Sequence, residues 1–275
     1  MQRNAYAKLN LSLAITGMRE DGYHMLDMVM QRISLYDVVT VEKAEDLRVF
    51  CEGVPEEKNT AYKAAAQFIS GTGIPHGVHI TIQKNIPAQA GLGGGSSDAA
   101  TTLLLMNEMF KTKLSAEELS RIGLCVGADV PFFLLGGCAR AQGVGEVLTP
   151  LENNCGFRYL LVKPEGGVNT RAAYEAYHRL PKDEVDVQAA VDALGAADCE
   201  AYFRYAGNAL APAGKLLCPE VEQALRDCYG QGARFAMMTG SGSCVFAVFE
   251  NEAKLTAAQD ALGEKYPFVA VANDI

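Results

Sequence analysis

The segment Gly91-Leu92-Gly93-Gly94-Gly95-Ser96-Ser97 carries four glycines in five positions and runs through Asp98 into a helical pattern. The first turn of a helix leaves backbone N–H groups without intrahelical acceptors, and the helix dipole adds partial positive charge there. Glycines remove the side chains that would hold an anion at a distance, so this backbone can wrap around a polyphosphate. A flexible turn with a Ser/Asp helix cap would need fewer of them. No Gly-Lys-Ser/Thr follows, and Ser96 stands where the last glycine of G-x-G-x-x-G would fall. The two commonest nucleotide-binding signatures are therefore excluded, and a different phosphate-binding architecture is required.

Two further residues have types suited to group transfer. Asp129 sits in G-A-D-V-P-F-F-L-L, where an ionised carboxylate beside apolar residues is costly without a partner. It is either a helix N-cap ahead of Pro131 or a base that accepts a proton from a substrate hydroxyl. Lys8 lies in an alternating run and is either a solvated surface residue or, with Asn10, part of a site. Paired with Asp129, it would hold the carboxylate ionised and offset developing negative charge.

These residues need elements to hold them. Over 5–16, Ala5, Ala7, Leu9, Leu11, Leu13 and Ile15 alternate with Tyr6, Lys8, Asn10 and Ser12, which predicts a half-buried strand with Lys8 and Asn10 facing away from the core. Strands are expected near 28–35, 38–43, 47–51 and 78–84. Asn59 caps a helix over about 60–70 that ends at Gly71, and Ser115 with Glu118 forms a capping box. A helix over about 97–110 follows the glycine loop. Beyond a boundary near Thr149–Gly156, strands are expected at 158–163, 233–238, 244–249 and 268–272. Helices are expected at about 170–179, 186–194, 198–206, 219–229 and 252–264. Hairpins outnumber βαβ units, which favours α+β over a doubly wound sheet.

Composition narrows the function classes. The 275 residues are 49% hydrophobic, enough to bury a sizeable core, and the formal net charge is −9 with no Lys/Arg run. That argues against nucleic-acid binding and means that any anionic ligand is held locally, by backbone N–H groups and a few cations. The eight cysteines show no C-x-x-C spacing, so reduced packed thiols are expected. No stretch approaches the ~18 apolar residues of a membrane span, and the N-terminus lacks the apolar block of a signal peptide. The cytoplasm is the expected location, and no obligate protein partner is readable.

Taken in order, the motifs resemble a known family. I-P-A-Q-A-G-L-G-G-G-S-S-D-A-A (86–100) resembles the phosphate-binding motif of the GHMP small-molecule kinases, A-Y-A-K-L-N-L (5–11) their first motif and T-G-S-G-S-C-V-F (239–246) their third. D-G-Y-H (21–24), G-A-D-V-P-F-F (127–133) and G-V-G-E-V-L-T-P (143–150) narrow the resemblance to members that phosphorylate a CDP-linked methylerythritol on the non-mevalonate route to isoprenoids. The resemblance implies an α+β fold of two domains. These are a ribosomal-protein-like ATP-binding domain over 1–152 and a ferredoxin-like domain over 153–275. It implies ATP and Mg²⁺ as cofactors, Asp129 as the base and Lys8 as its partner. The nucleotide falls to Pro87, Ala88, Gln89, Ala90, Gly91, Leu92, Gly93, Gly94, Gly95, Ser96, Ser97 and Asp98, with Asn59 and Lys84 near the adenine. Tyr23 and His24 grip the cytosine, Asn10 lies in the same pocket, and Tyr174, after Thr170, is the second stacking aromatic. Gly240 lies in a loop that the family sets against the phosphates, although five small residues also make an ordinary hairpin loop. The Mg²⁺ ligands stay open, with Ser97 and substrate phosphates as candidates. Gln89 stands where the family often has a small residue, and its side chain is expected to point to solvent. The rival readings are another GHMP kinase, acting on homoserine, mevalonate or a sugar, and a catalytically silent nucleotide-binding regulator.

Overall fold

The computed structural model describes residues 1–182 and 184–275. They form two compact units, neither continuous in sequence. The first comprises Met1–Ala7, Leu35–Ile86 and Gly93–Gly136; the second comprises Lys8–Ser34, Pro87–Leu92 and Gly137–Ile275. Two long strands, β1 (Gln2–Met18) and β2 (His24–Ala44), contribute residues to both units.

In the first unit, the C-terminal half of β2 pairs antiparallel with β4 (Gly77–Gln83), with Val41 opposite Ile80, and β3 (Arg48–Cys51) runs parallel to β4. Four helices accompany them: α1 (Thr60–Thr72), α2 (Gly94–Phe110), α3 (Ala116–Leu124) and α4 (Val130–Leu135). Helix α1 buries Ala61, Ala64, Ala65 and Phe68, one stripe at helical spacing, and lies against α2. Asn59 Oδ1 accepts from the Ala61 N–H at 2.9 Å, as expected of a cap. The helix runs past Gly71 and stops at Gly73, which takes φ +67 and donates its N–H to the Ile69 carbonyl. Only Gly73 has the left-handed conformation that closes a helix. Ser115 and Glu118 form both halves of the capping box.

The second unit holds two antiparallel arrangements. The N-terminal half of β2 pairs with β5 (Cys138–Gly143), and β5 with β6 (Val147–Leu151). A four-stranded sheet has the order β10 (Phe268–Asn273), β7 (Arg158–Lys163), β9 (Val245–Val248), β8 (Phe235–Met238). Helices α5 (Thr170–Tyr177), α6 (Val187–Gly195), α7 (Cys199–Tyr205), α8 (Ala211–Leu217), α9 (Glu220–Gly230) and α10 (Glu252–Gly263) complete it. Phe157, Tyr159, Tyr202, Phe203, Phe235 and Phe246 pack ring against ring at 5.2–6.0 Å. Asp274 enters this cluster, accepting from the Tyr159 hydroxyl at 2.7 Å, and burial pushes its carboxyl up to about 6. The eight cysteines are free thiols.

The α+β reading holds. Some local expectations do not. Residues 28–35 and 38–43 form one strand, because Asp37 does not end it: its side chain is fully buried and hydrogen-bonded. Helix α8 has no counterpart among the expected helices; its Pro212 sits in the first turn, where its missing N–H costs nothing. Lys8 and Asn10 do not face solvent. They are 4% and 2% exposed, because β1 is covered on both faces over residues 7–13.

Candidate active site

Helix α2 starts with the glycine cluster. Gly93 occupies the N-cap with φ +73, no side chain caps the helix, and no acidic residue lies in its first turn. The first helical hydrogen bond runs from the Ser97 N–H to the Gly93 carbonyl at 3.0 Å. The N–H groups of Gly94, Gly95 and Ser96 precede it, so the helix supplies them no acceptor. Neighbours close in behind. A Cβ on Gly94 would lie 3.1 Å from Ile86 Cγ2 and 3.3 Å from Lys84 Nζ; one on Gly95 would lie 3.1 Å from Thr60 Oγ1. Thr60 also donates to the Gly95 carbonyl at 2.6 Å. The result is a backbone cradle at a helix N-terminus that side chains would fill, the donor set a polyphosphate needs. The Ser97 side chain is buried, and its hydroxyl donates to the Tyr6 carbonyl at 2.6 Å.

Asp129 lies in the same unit. A Cβ on Gly127 would be 3.6 Å from Ser96 Oγ, so the Gly127-Ala128-Asp129 turn adjoins the first turn of α2. The turn is fixed by the Val130 N–H on the Gly127 carbonyl at 3.1 Å. Asp129 precedes α4 with φ −80 and ψ −13, and its side chain makes no capping hydrogen bond. The capping alternative therefore fails, and the carboxylate is half-buried.

Behind the cradle, Lys84 bridges two carboxylates. Its ammonium donates to Asp37 and, at 2.7 Å, to Asp98. Asp37 also accepts from the Asn85 and Ile86 N–H groups at 2.6 and 2.8 Å. One cation faces two acids, and Asp98 bears the excess. Burial above all pushes its carboxyl up to about 7; the Lys84 charge pulls against this and the Asp37 charge adds to it. Asp98 Oδ1 is buried without a hydrogen-bond partner among the described residues. Asn59 is taken up in capping α1.

In the second unit, Gly91 meets the 239–243 loop. A Cβ on Gly91 would fall 2.2 Å from the Thr239 carbonyl oxygen. The Ala90 and Gln89 carbonyls accept from the Cys244 and Ser243 N–H groups at 3.2 Å each. Lys8 and Asn10 arrive from β1: the Lys8 ammonium donates to Asn10 Oδ1, and the Asn10 N–H donates to Thr239 Oγ1 at 2.9 Å. A Cβ on Gly240 would lie 3.2 Å from both Lys8 Nζ and Asn10 Oδ1. The loop is thus more than a hairpin connection. Thr170 Oγ1 lies 3.0 Å from Ser241 Oγ. Pro87 and Ala88 lead into the Gly91 segment. Gln89 is exposed, at φ +50, and its side chain runs against Gly167.

A second cluster gathers around His24. Its ring stacks on Tyr174 with centroids 4.5 Å apart and planes at 24°, and its Nε2 lies 3.0 Å from His178 Nε2. Tyr23 is 65% exposed, ahead of β2. Burial, with the charges of His178 and Lys182, holds His24 below its ordinary value of 6.5. A neutral imidazole both donates and accepts, which suits it to the polar edge of a heterocycle. His178 was missed in the sequence, although Tyr174 and His178 are four residues apart and so share a helix face. Asp37 was missed as well; its one signal is an acid within an otherwise apolar strand run.

Known proteins resemble this chain in sequence and in fold. Residues 59–137 match the GHMP kinases N terminal domain, and residues 181–267 match GHMP kinases C terminal. The chain is 44% identical over 251 residues to the 4-diphosphocytidyl-2-C-methyl-D-erythritol kinase of Desulfitobacterium hafniense, covering 90% of this chain and 87% of that one. It is 40% identical to the Clostridium beijerinckii kinase of the same name, over the full length of both. A crystal structure of 4-(cytidine 5'-diphospho)-2C-methyl-D-erythritol kinase superposes over 100% of both chains with a TM-score of 0.85 at 33% identity. A homoserine kinase from Cytophaga hutchinsonii covers 100% of this chain and 95% of its own, with a TM-score of 0.74; at 20% identity it shares the fold.

Proposed function

Since the chain belongs to the 4-diphosphocytidyl-2-C-methyl-D-erythritol kinases of the GHMP family, we propose that it phosphorylates the 2-hydroxyl of 4-diphosphocytidyl-2-C-methyl-D-erythritol with ATP, on the non-mevalonate route to isoprenoids. The observation that carries the chemistry is the meeting of the glycine cradle with the Asp129 turn at Ser96 and Gly127. Phosphoryl transfer needs positioning and charge stabilisation more than covalent chemistry. The N–H groups of Gly94, Gly95 and Ser96 hold the phosphates. Asp129 accepts the proton of the attacking hydroxyl, and Lys8, whose ammonium donates to Asn10 Oδ1, offsets negative charge developing on the transferred group. Lys84 contacts the nucleotide. Residues 1–152 supply the nucleotide-binding segments, within which the N-terminal family match falls, and 153–275 the second domain.

Mg²⁺ bound with the nucleotide would neutralise phosphate oxygens. Its ligands would come mostly from phosphate and water oxygens, in keeping with the few protein groups such ions use. Among the described residues no cluster of three His, Cys, Asp or Glu side chains forms a cage of its own. No helix of the described residues is long and apolar enough to cross a membrane. We place the reaction in the cytoplasm.

An acceptor panel tests the reading. ADP release should be fast with the CDP-linked methylerythritol and at least about a hundredfold slower, as kcat/KM, with homoserine, mevalonate or galactose. A site that hydrogen-bonds its substrate's polar groups rejects analogues lacking them by large factors. Equal rates across the panel would leave only the broader GHMP assignment standing.

His24 gives this site a pH dependence with a defined sign. Its folded value lies below 6.5, so it is neutral above 6.5 and charges only as pH falls below it. Neutral His24 reads the cytosine edge while Tyr174 supplies a ring face. KM for the CDP-linked substrate should be flat above pH 6.5 and rise as the medium is acidified through the folded value. The unfolded chain takes up the proton first, so the stability contributed by His24 is present above 6.5 and is lost over the same window. His24→Phe keeps an aromatic ring against Tyr174 but should raise this KM about tenfold at pH 7.5 and remove its acid limb. An unchanged acid limb in that variant would assign the titration elsewhere.

A further inference from the structure

Asp37 has no place in the reaction as derived above, yet its surroundings are unusual for a strand residue. The side chain is fully buried, and three donors converge on it: the Lys84 ammonium on Oδ2, and the Asn85 and Ile86 N–H groups on Oδ1. All three come from the short stretch that leaves β4 and enters the glycine segment. Ile86 packs behind Gly94, and Lys84 Nζ lies within 3.3 Å of the position a Gly94 Cβ would take. A buried ion pair is a poor device for stability, since an apolar side chain of similar size commonly does as well or better. Retaining one here is better explained by what it holds in place.

We propose that Asp37 is a positioning residue for the nucleotide, clamping Lys84 and the 85–86 peptide so that the chain enters the glycine cradle at one fixed height. The proposal rests on the reading that the cradle binds ATP. Lys84 has three N–H donors, and Asp37 and Asp98 take two. Its side chain keeps 27% exposure while those of Asp37 and Asp98 keep 0% and 5%. The ammonium is thus held by two buried carboxylates and lies beside the first residue of α2, with a third N–H donor to spare. The two N–H groups on Asp37 Oδ1 fix the peptide planes that set the direction of the chain toward Pro87. An Asn at position 37 can still accept those two bonds but cannot hold the ammonium by charge.

The test uses the full chain, with Asp37→Asn and Lys84→Met made singly and together. ATP and acceptor kinetics are measured well below each variant's Tm, and the ATP analogue AMP-PNP is titrated calorimetrically. Asp37→Asn should raise the ATP KM and the AMP-PNP Kd about tenfold, the loss of one charge-assisted hydrogen bond, and leave kcat and the acceptor KM within about twofold. Lys84→Met should act in the same direction. The double variant should be no worse than the poorer single one, because Asp37 acts through Lys84. A merely structural Asp37 would lower Tm and the active fraction without moving the ATP KM of the folded enzyme. Unchanged ATP KM in Asp37→Asn, or effects that multiply in the double variant, overturns the inference. Should Asp37→Asn fail to fold, Lys84→Met decides alone: an unchanged ATP KM there also overturns it. Wild-type protein that did not bind AMP-PNP would instead refute the nucleotide reading itself.

Discussion

Asp129→Asn should abolish nearly all phosphoryl transfer while leaving the fold and both substrate sites in place. The expected loss in kcat is on the order of 10²–10⁴, the contribution of a positioned general base. The substitution is isosteric, and the native carboxylate makes no capping hydrogen bond that an amide would forfeit. Helix α4 is held instead by Pro131 in its first turn, by the Val130 N–H on the Gly127 carbonyl and by burial of Val130, Phe132 and Phe133. The Tm should therefore move by no more than a few degrees. The ATP KM should stay within about threefold, since the cradle N–H groups of Gly94, Gly95 and Ser96 are untouched. A fall in kcat with KM unchanged marks an interaction made in the transition state alone. Single-turnover measurement with enzyme in excess over ATP separates this from slow product release. If Asp129→Asn transferred phosphate at the wild-type single-turnover rate, Asp129 would be no base, and the proton would have to leave by another route.

Much of this arrangement is legible in the chain, for reasons that also show where reading stops. Local signals give local answers. Asn59, Ser115 and Glu118 cap helices because a side-chain oxygen two or three residues from a free N–H needs nothing distant to act. The glycine cluster ahead of a helical pattern marks an anion cradle for the same reason. Alternation along 5–16 groups Lys8 with Asn10, but periodicity says which residues share a face and not what covers it. Their face is buried, with Thr239 and Gly240 against it from residues more than two hundred positions away. Asp37 looks like an interruption in a strand because its compensating donors, Asn85 and Ile86, lie some fifty residues on. The division of the chain is beyond composition altogether, since residues 8–34 and 87–92 join a unit otherwise formed by 137–275. The acceptor comes from family resemblance, and the physics of the site is compatible with it without selecting it.

Gly91→Ala should be the most damaging of the small substitutions, and it separates two penalties that glycines usually combine. Gly91 has φ +75, where an alanine pays about 1 kcal/mol in conformational energy. Gly73, with φ +67 and nothing within 4 Å of where a Cβ would stand, carries the same conformational penalty and no other. At Gly91 the Cβ would lie 2.2 Å from the Thr239 carbonyl oxygen, 3.0 Å from its carbon and 3.2 Å from the Gly242 nitrogen. These are backbone atoms with no rotamer to change. Retreat of the 239–243 loop would break the Asn10 bond to Thr239 Oγ1, the Thr239 N–H bond to Cys244 and the Asn208 bond to the Gly240 carbonyl. Retreat of Gly91 would break the Lys8 N–H bond to Leu92 and the Cys244 N–H bond to Ala90. Either way two or three buried hydrogen bonds are lost, and with the strain the cost reaches about 3–5 kcal/mol. For a chain of this size that is a Tm lowered by roughly 10 °C, against roughly 3 °C for Gly73→Ala. Because the first choice displaces Gly240 and the second displaces the strand segment carrying Lys8, residual folded Gly91→Ala should also show kcat/KM reduced by at least about a hundredfold, whereas Gly73→Ala should keep wild-type kinetics. Equal Tm shifts in the two variants would mean that the loop yields more cheaply than its hydrogen bonds allow, and that close approach at Gly91 does not set the geometry of the site.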